Sequence, residues 1–353
     1  MDVDAQRIRA AWEGRVSGCQ LGKPLEPLSM MAGREEVQAY LRDAAALPLR
    51  DYVPAQPGSL VDAMFRGCCR GHIVRAEPDD DINYTVIALL VLEERGIAFT
   101  TEDVARVWFR SLPAGATFTA EREALAHLVV HAPELFGFGE AAGFDVTECA
   151  SLAYGDWIGA QIRADLYGWV CPGRPALAAA FARRDAALSH RGEGIEAAAF
   201  VAALGAAIPA TASLEDATDV ALETVEQGSG VIEAVRLGRG LAGDAGAPDR
   251  IAAQYPTLPW AHALNNLAVV VWGLLSGADD FAAAVGDTVA AGFDTDCNGA
   301  TVGGLFGLTG RPVPRAFTEP WQGRVAVTLS GADELALDDL VARTCTVARQ
   351  LAL

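Results

Sequence analysis

The segment Gly292-Phe293-Asp294-Thr295-Asp296-Cys297-Asn298-Gly299-Ala300-Thr301-Val302-Gly303-Gly304-Leu305-Phe306-Gly307 joins a polar loop to a helix studded with glycine. A helix that carries Gly299, Gly303, Gly304 and Gly307 lets another backbone approach it closely, which points to tightly packed helices. Two aspartates stand where that helix begins. Residues two apart on a helix point in nearly opposite directions, so Asp294 and Asp296 share an ion only if the turn before the helix aims both inward. A capped turn ahead of a tightly packed helix is the other reading of the same residues.

Outward from this segment the helical pattern continues. Upstream, Asp279 to Ala291 reads as a helix ended by Gly292, Asn265 to Ser276 as a strongly apolar one, and Leu214 to Gln227 and the Ala-rich Ile195 to Ile208 as two more. Near the other end, Ala5 to about Cys19 suits a first helix, which Gly18, Gly22 and Pro24 are expected to stop, leaving Glu26 on or next to a loop. Residues 45 to 60, with Pro48, Pro54 and Pro57, read as a loop. Ile82, Val86, Leu89, Leu90 and Val91 recur largely on one face, Thr101 opens a helix through Arg110, and residues 120 to 131 follow in the same manner. A stretch rich in glycine and aromatics, from Phe136 to about Gly173, has weaker periodicity and suits a segment that covers a site. No segment alternates with period two for long enough to argue for a sheet.

Composition agrees. Of 353 residues 51% are hydrophobic, dominated by Ala and Leu, while aromatics supply 7%, a balance that favours helices over sheet. An all-α fold is expected, and with no repeat or low-complexity linker, one domain over residues 1–353. The formal net charge of -19 argues against general nucleic-acid affinity and against binding to anionic membranes, both of which rely on Lys and Arg. An anionic substrate then needs local positive charge, for which a bound cation is one source. Apolar runs such as Leu267 to Leu275 fall short of the roughly 20 residues that span a bilayer. Seven scattered cysteines without CxxC spacing, and an N-terminus without a basic start and apolar run, make the cytoplasm the expected location.

The second acidic segment is Pro78-Asp79-Asp80-Asp81-Ile82-Asn83-Tyr84-Thr85, at a helix start. One cap needs one aspartate. Repulsion among three adjacent carboxylates is on the order of a few kcal/mol per pair at an effective dielectric near 20, so either the cluster is a solvated turn or a cation holds it ionised.

In chain order these motifs resemble the ADP-ribosylglycohydrolases, the family that includes dinitrogenase-reductase-activating and ADP-ribosylserine or ADP-ribosylarginine hydrolases. Gly18-x-x-x-Gly22-x-x-x-Glu26 resembles the N-terminal motif whose glutamate lies by the metals. Asp79-Asp80-Asp81-Ile82-Asn83-Tyr84-Thr85 falls where the family has Thr-Asp-Asp-Thr-x-Met-Thr. Ser189-His190 is similar to the Thr-His pair before an Ala-rich helix. Gly292 to Asn298 is similar to Gly-Gly-Asp-Thr-Asp-Thr-Asn. The four together span most of the chain.

The resemblance implies a compact, orthogonal multi-helix bundle in which two divalent cations, Mg²⁺ first and Mn²⁺ as the alternative, sit between the acidic clusters. Asp79, Asp80, Asp81, Asp294 and Asp296 become the metal ligands, and Glu26 or Asp81 the catalytic acid or base. Asn83, Gly159, Gln161, His190 and Asn298 become substrate-binding residues. The implied reaction is hydrolysis of a glycosidic bond at the anomeric carbon of ADP-ribose, carried by a modified protein, nucleic acid or small molecule. Hydrolysis of a free nucleoside, nucleotide or ribosylated metabolite is the alternative, and a catalytically silent ADP-ribose-binding protein a further one. Three departures point to a divergent substrate or activity: Asp79 replaces a threonine and adds a charge, Cys297 stands where the family supplies a threonine oxygen, and Pro113 to Ala120 lacks an aspartate that some members carry.

Overall fold

A computed structural model describes residues 4–131 and 143–352. The N-terminal half opens with α1 (Ala5–Gly22), capped by the Asp4 carboxylate, and α2 (Glu26–Asp43), followed by the short α3 (Leu60–Met64), then α4 (Asp80–Arg95). Next come α5 (Thr101–Ser111), held at its start by a Thr100–Asp103 capping box, and α6 (Thr119–His131). Short turns lead to α7 (Asp165–Trp169), α8 (Pro175–Ala186) and α9 (Gly192–Ala207). The C-terminal half contains α10 (Leu214–Leu222), α11 (Val231–Gly240), α12 (Ala247–Gln254), α13 (Ala263–Ser276), α14 (Phe281–Ala290), α15 (Thr295–Leu308) and α16 (Arg315–Thr318). Strands β1 (Arg324–Leu329) and β2 (Ala332–Ala336) precede α17 (Leu337–Ala352).

The packing that organises the molecule is that of α1 against α15. A side-chain Cβ built on Gly14 would lie 2.0 Å from the Gly303 oxygen, one on Gly18 2.0 Å from the Gly299 oxygen, and one on Gly22 2.2 Å from the Thr295 oxygen. One on Gly307 would meet the Ala10 oxygen at 2.2 Å. Positions 10, 14, 18 and 22 thus face 307, 303, 299 and 295, an antiparallel ladder stepping by four residues along both helices. Both helices are buried along this seam, and α13 and α14 pack on α15 from other sides.

This ladder corrects the expectation that Gly18 and Gly22 stop the first helix. The helix runs through both to Gly22, because the lost helix propensity is offset by close backbone packing. Glu26 is the first residue of α2, directly after the turn at residues 23–25 and so next to a loop as expected, with Pro27 in the first turn. The helix predicted from Leu214 to Gln227 ends at Leu222. The two-stranded antiparallel hairpin, with Arg324 opposite Ala336 and Val325 opposite Leu335, lies outside the sequence expectation. Val325 also bridges to Ala76 just before the first acidic cluster, and Trp12 on α1 donates to Thr344 on α17 at 3.0 Å. Of the stretch expected from Phe136 to Gly173, the part up to residue 142 lies outside the described residues, and the rest is mostly short turns.

By length and composition, the segment Gly192–Ala210 is apolar enough to cross a bilayer, but most of it is buried inside the molecule. There it packs against α7, α8 and α10 as a core helix.

Candidate metal centre

Arg15, Cys19, Lys23 and Glu26 follow one another at steps of four, four and three residues, which aligns them beside the glycine seam at the α1–α2 junction. Facing them is the start of α4. Asp79 is its N-cap, accepting the Asp81 N–H at 2.9 Å through Oδ1, while its Oδ2 accepts from Lys23 Nζ at 2.6 Å. Lys23 also donates to the Pro78 carbonyl. Asp80 and Asp81 occupy the first turn, where the helix dipole favours negative charge. The Arg15 guanidinium, fully buried, binds Asp81 Oδ1 at 3.1 Å, the Asp81 carbonyl at 3.0 Å, Thr85 at 2.6 Å and Asp165 at 2.9 Å, and it also donates to the Ile162 carbonyl. Asp81 Oδ2 is left buried without a partner.

The second cluster is shaped by a turn. Gly292 and Phe293 both have left-handed φ, 78° and 62°, reversing the chain into α15, and Phe293 adopts it without glycine's freedom. Asp294 is the N-cap position, yet its side chain makes no capping bond. Its backbone N–H donates to Asn266 Oδ1 at 3.0 Å, and Asn298 Nδ2 donates to the same oxygen at 2.7 Å. Asn266 is itself fixed by donating to the Trp260 and His262 carbonyls at 2.8 and 2.9 Å. The carboxylates are therefore released from capping and aimed elsewhere: Asp294 Oδ1 and Asp296 Oδ1 are both buried without a hydrogen-bond partner.

The two clusters converge. Thr295 Oγ1 donates to the Gly22 carbonyl at 2.8 Å, tying the start of α15 to the end of α1 next to Lys23. The ligand atoms of Cys19, Asp79 and Asp81 lie within 4.8 Å of one another, as do those of Asp294, Asp296 and Cys297. Asp79, Asp81, Asp294 and Asp296 are buried, whereas Lys23, Glu26 and Asp80 are half-buried at the rim. Among the described residues, no protein hydrogen bond reaches the Asp80 or Glu26 carboxylate.

Electrostatics register the crowding. Burial, then the charges of Asp296, Asp79 and Asp80, push Glu26 well above its usual range. Burial, then Asp79 and Asp296, do the same to Asp80; burial raises Asp81 against the pull of Arg15. Burial with Asp296 and Glu26 lifts Asp294, and Asp296 is pushed up to about 6 by burial and Asp79. Asp79 alone goes the other way: burial works to raise it, but Lys23 and the Asp81 N–H together hold it below the ordinary value. Burial and the nearby carboxylates raise the Cys19 and Cys297 thiols, which makes both poor thiolate donors. Open, buried carboxylate oxygens with protonated thiols are a donor set for a hard divalent cation such as Mg²⁺ or Mn²⁺.

The sequence-derived substrate residues divide. His190 is buried, with Nδ1 2.8 Å from Ser189 Oγ and Nε2 3.8 Å from Glu121. Gln161 is fully buried with both amide atoms unpartnered. Gly159 is required by its neighbour, since a Cβ there would lie 2.3 Å from Glu121 Oε1. Asn298 keeps Oδ1 unpartnered. Asn83, by contrast, is committed to the hairpin: Nδ2 donates to Thr328 Oγ1 at 2.7 Å and Oδ1 accepts the Thr328 N–H at 3.0 Å.

Sequence reasoning passed over Arg15, Lys23, Asn266 and the buried Glu121–Arg163–Asp185 network, in which Arg163 binds Glu121 at 2.8 Å and also binds Asp185. The helical spacing of Arg15, Cys19, Lys23 and Glu26 is the one signal that marks two of them in advance. The shallow hollows lined by Glu93 and Arg343, and by Arg9 and Asp338, contain none of these residues.

Compared with known proteins, the sequence profile of the ADP-ribosylglycohydrolase family matches residues 1–347. Among solved structures, one described as an ADP-ribosylglycohydrolase-related protein complex superposes with a TM-score of 0.59 at 19% identity, covering 98% of each chain, a likeness of fold. No curated protein matches.

Proposed function

The chain belongs to the ADP-ribosylglycohydrolase family, and from that premise we propose that it is a divalent-metal-dependent hydrolase of the glycosidic bond at the anomeric carbon of ADP-ribose. The observation that carries this reading is the convergence of two acidic clusters on buried carboxylate oxygens that the protein leaves open, Asp81 Oδ2, Asp294 Oδ1 and Asp296 Oδ1. Burying such charges unpaired is costly, and a divalent cation is the counter-charge that suits oxygen donors. Asp80, Asp81, Asp294 and Asp296 would hold it. When bound, it supplies Lewis-acid polarisation of ribose hydroxyls and of the attacking water.

The chain's own residues do the rest. Glu26, half-buried at the rim, has its pKa raised first by burial and then by the charges of Asp296, Asp79 and Asp80, which suits it to pass a proton to the leaving group and take one back from water. Asp81, oriented by Arg15, presents one free oxygen to the site and is the second proton-handling carboxylate. His190, Gln161 and Gly159 bind the substrate's ribose or phosphates, and Asn298, fixed through Asn266, presents its free oxygen beside Asp294. The substrate is an ADP-ribosylated macromolecule or a ribosyl-containing small molecule. Residues 1–353 act as one domain, since the ligands come from both ends of the sequence. Seven unpaired, buried cysteines suit a reducing compartment, and we assign the protein to the cytoplasm.

Release of ADP-ribose from ADP-ribosylated protein, followed by chromatography with added Mg²⁺ or Mn²⁺ and after chelation, tests the reading. Asp80→Ala and Asp296→Ala are expected to lose at least about 100-fold in kcat, since each removes a ligand that orients the reacting groups, while melting cooperatively. Turnover retained in either variant, or unaffected by chelation, refutes it.

A further inference from the structure

Asp79 and Lys23 form a pair that sets them apart from the rest of the acidic site. Both Asp79 oxygens are already engaged: Oδ1 caps α4 through the Asp81 N–H at 2.9 Å, and Oδ2 accepts from Lys23 Nζ at 2.6 Å. Asp81, Asp294 and Asp296 each keep a buried oxygen free, and the Asp80 carboxylate takes no protein hydrogen bond among the described residues. The ammonium reaches this place because Lys23 follows directly on Gly22, where α1 is held against Thr295, and Lys23 is anchored a second time on the Pro78 carbonyl. It stands beside the Cys19–Asp79–Asp81 group, one of two places among the described residues where such ligand atoms gather closely. A divalent cation bound to Asp79 there would have to displace the ammonium or lie against it, and like charges at such a separation repel strongly in a partly buried site. The charge of Asp79 is thus matched by a cation built into the chain.

Building on the metal-dependent reading above, we propose that Lys23 acts as a fixed internal cation occupying one half of the acidic centre, so that Asp79 is not a metal ligand. The centre takes a single divalent ion, held by Asp80, Asp81, Asp294 and Asp296. Lys23 is then a positioning residue: it holds Asp79 as the α4 cap and sets the number of ions, without touching the reacting atoms.

The test counts ions. Full-length protein is equilibrated with excess Mn²⁺, freed of unbound metal by equilibrium dialysis, and measured by elemental analysis and electron paramagnetic resonance. The wild type is expected to hold one Mn²⁺ per chain with the six-line spectrum of an isolated ion. Lys23→Met, which frees Asp79 Oδ2, is expected to hold two, with the broadened spectrum of a spin-coupled pair. The charge-neutral double variant Lys23→Met/Asp79→Ala is expected to return to one, with affinity within about threefold of the wild type. Two ions in the wild type overturn the proposal and leave the metal-dependent reading standing, as does an ion lost in a folded double variant. One ion in both the wild type and a folded Lys23→Met, with circular dichroism as the check on folding, also overturns it. No ion in the wild type overturns the metal-dependent reading as well. The wild-type count and the double variant decide the matter even if Lys23→Met does not fold.

Discussion

Replacing Gly18 with alanine puts a Cβ 2.0 Å from the Gly299 oxygen and 2.5 Å from its carbonyl carbon. Real Cβ atoms do not come nearer than 3.0 Å, so α1 and α15 must part by about 1 Å at this rung. The obstacle is backbone on a buried helix, which cannot rotate aside like a side chain. Overpacking of this kind costs about 3 kcal/mol, the upper part of the usual range. With an unfolding entropy of about 2.1 cal/mol/K per residue over 353 residues, that corresponds to a fall of about 4 °C in Tm. The same separation strains the Thr295–Gly22 hydrogen bond of 2.8 Å and moves Asp294 and Asp296 away from Asp80 and Asp81. Mn²⁺ affinity is therefore expected to fall as well, and by position: least in Gly14→Ala, more in Gly18→Ala, most in Gly22→Ala, whose clash lies next to Asp296. Differential scanning calorimetry with and without Mn²⁺, together with isothermal titration of Mn²⁺, reads both effects. A Gly18→Ala protein melting within about 1 °C of the wild type, or three variants losing metal affinity equally, contradicts the ladder as the device that spaces the two clusters.

Asn266→Ala removes the oxygen that holds the Asp294 N–H and the Asn298 amide, and Mn²⁺ is expected to bind about 10–100-fold more weakly, as for other residues that orient ligands; unchanged affinity by titration argues against the clamp. His190 is held well below its ordinary pKa, first by burial and then by Arg163, so the native state excludes a proton that the unfolded chain takes up. Stability is then lost as pH falls below about 6.5, by up to about 2 kcal/mol at pH 5. Urea melts of His190→Gln are expected to lack that portion of the slope, and parallel pH dependences in variant and wild type would count against it.

The acidic segments, the all-α class and the helices near residues 263–276 and 281–290 are legible because each depends on residues close in sequence. What escapes is the part decided by distant partners. Gly18 and Gly22 read locally as helix breakers, and only the facing Gly299 and Thr295, more than 270 positions away, turn them into packing surface. The hairpin at Arg324–Ala336 is short, and its place is set by the Ala76 bridge and the Asn83–Thr328 pair, neither visible in a local pattern. Within the site, the acidic residues announce themselves by clustering, whereas Lys23, Arg15 and Asn266 are single residues whose meaning comes from what they touch. Asp79 is the instructive case: the sequence gives it the same chemistry as Asp80 and Asp81, and only its two hydrogen bonds distinguish it.

The α1–α15 ladder also bears on how the chain comes to be folded during synthesis. Gly22 and Thr295 are separated by 273 positions, so at about 5–20 residues per second a ribosome adds the second roughly 15–55 s after the first. Throughout that interval the glycine face of α1 lacks its partner α15, and the acidic residues at the start of α4 lack Asp294 and Asp296. The two acidic clusters therefore come together only when translation is nearly done, and a product that stops before α15 lacks Asp294 and Asp296 altogether.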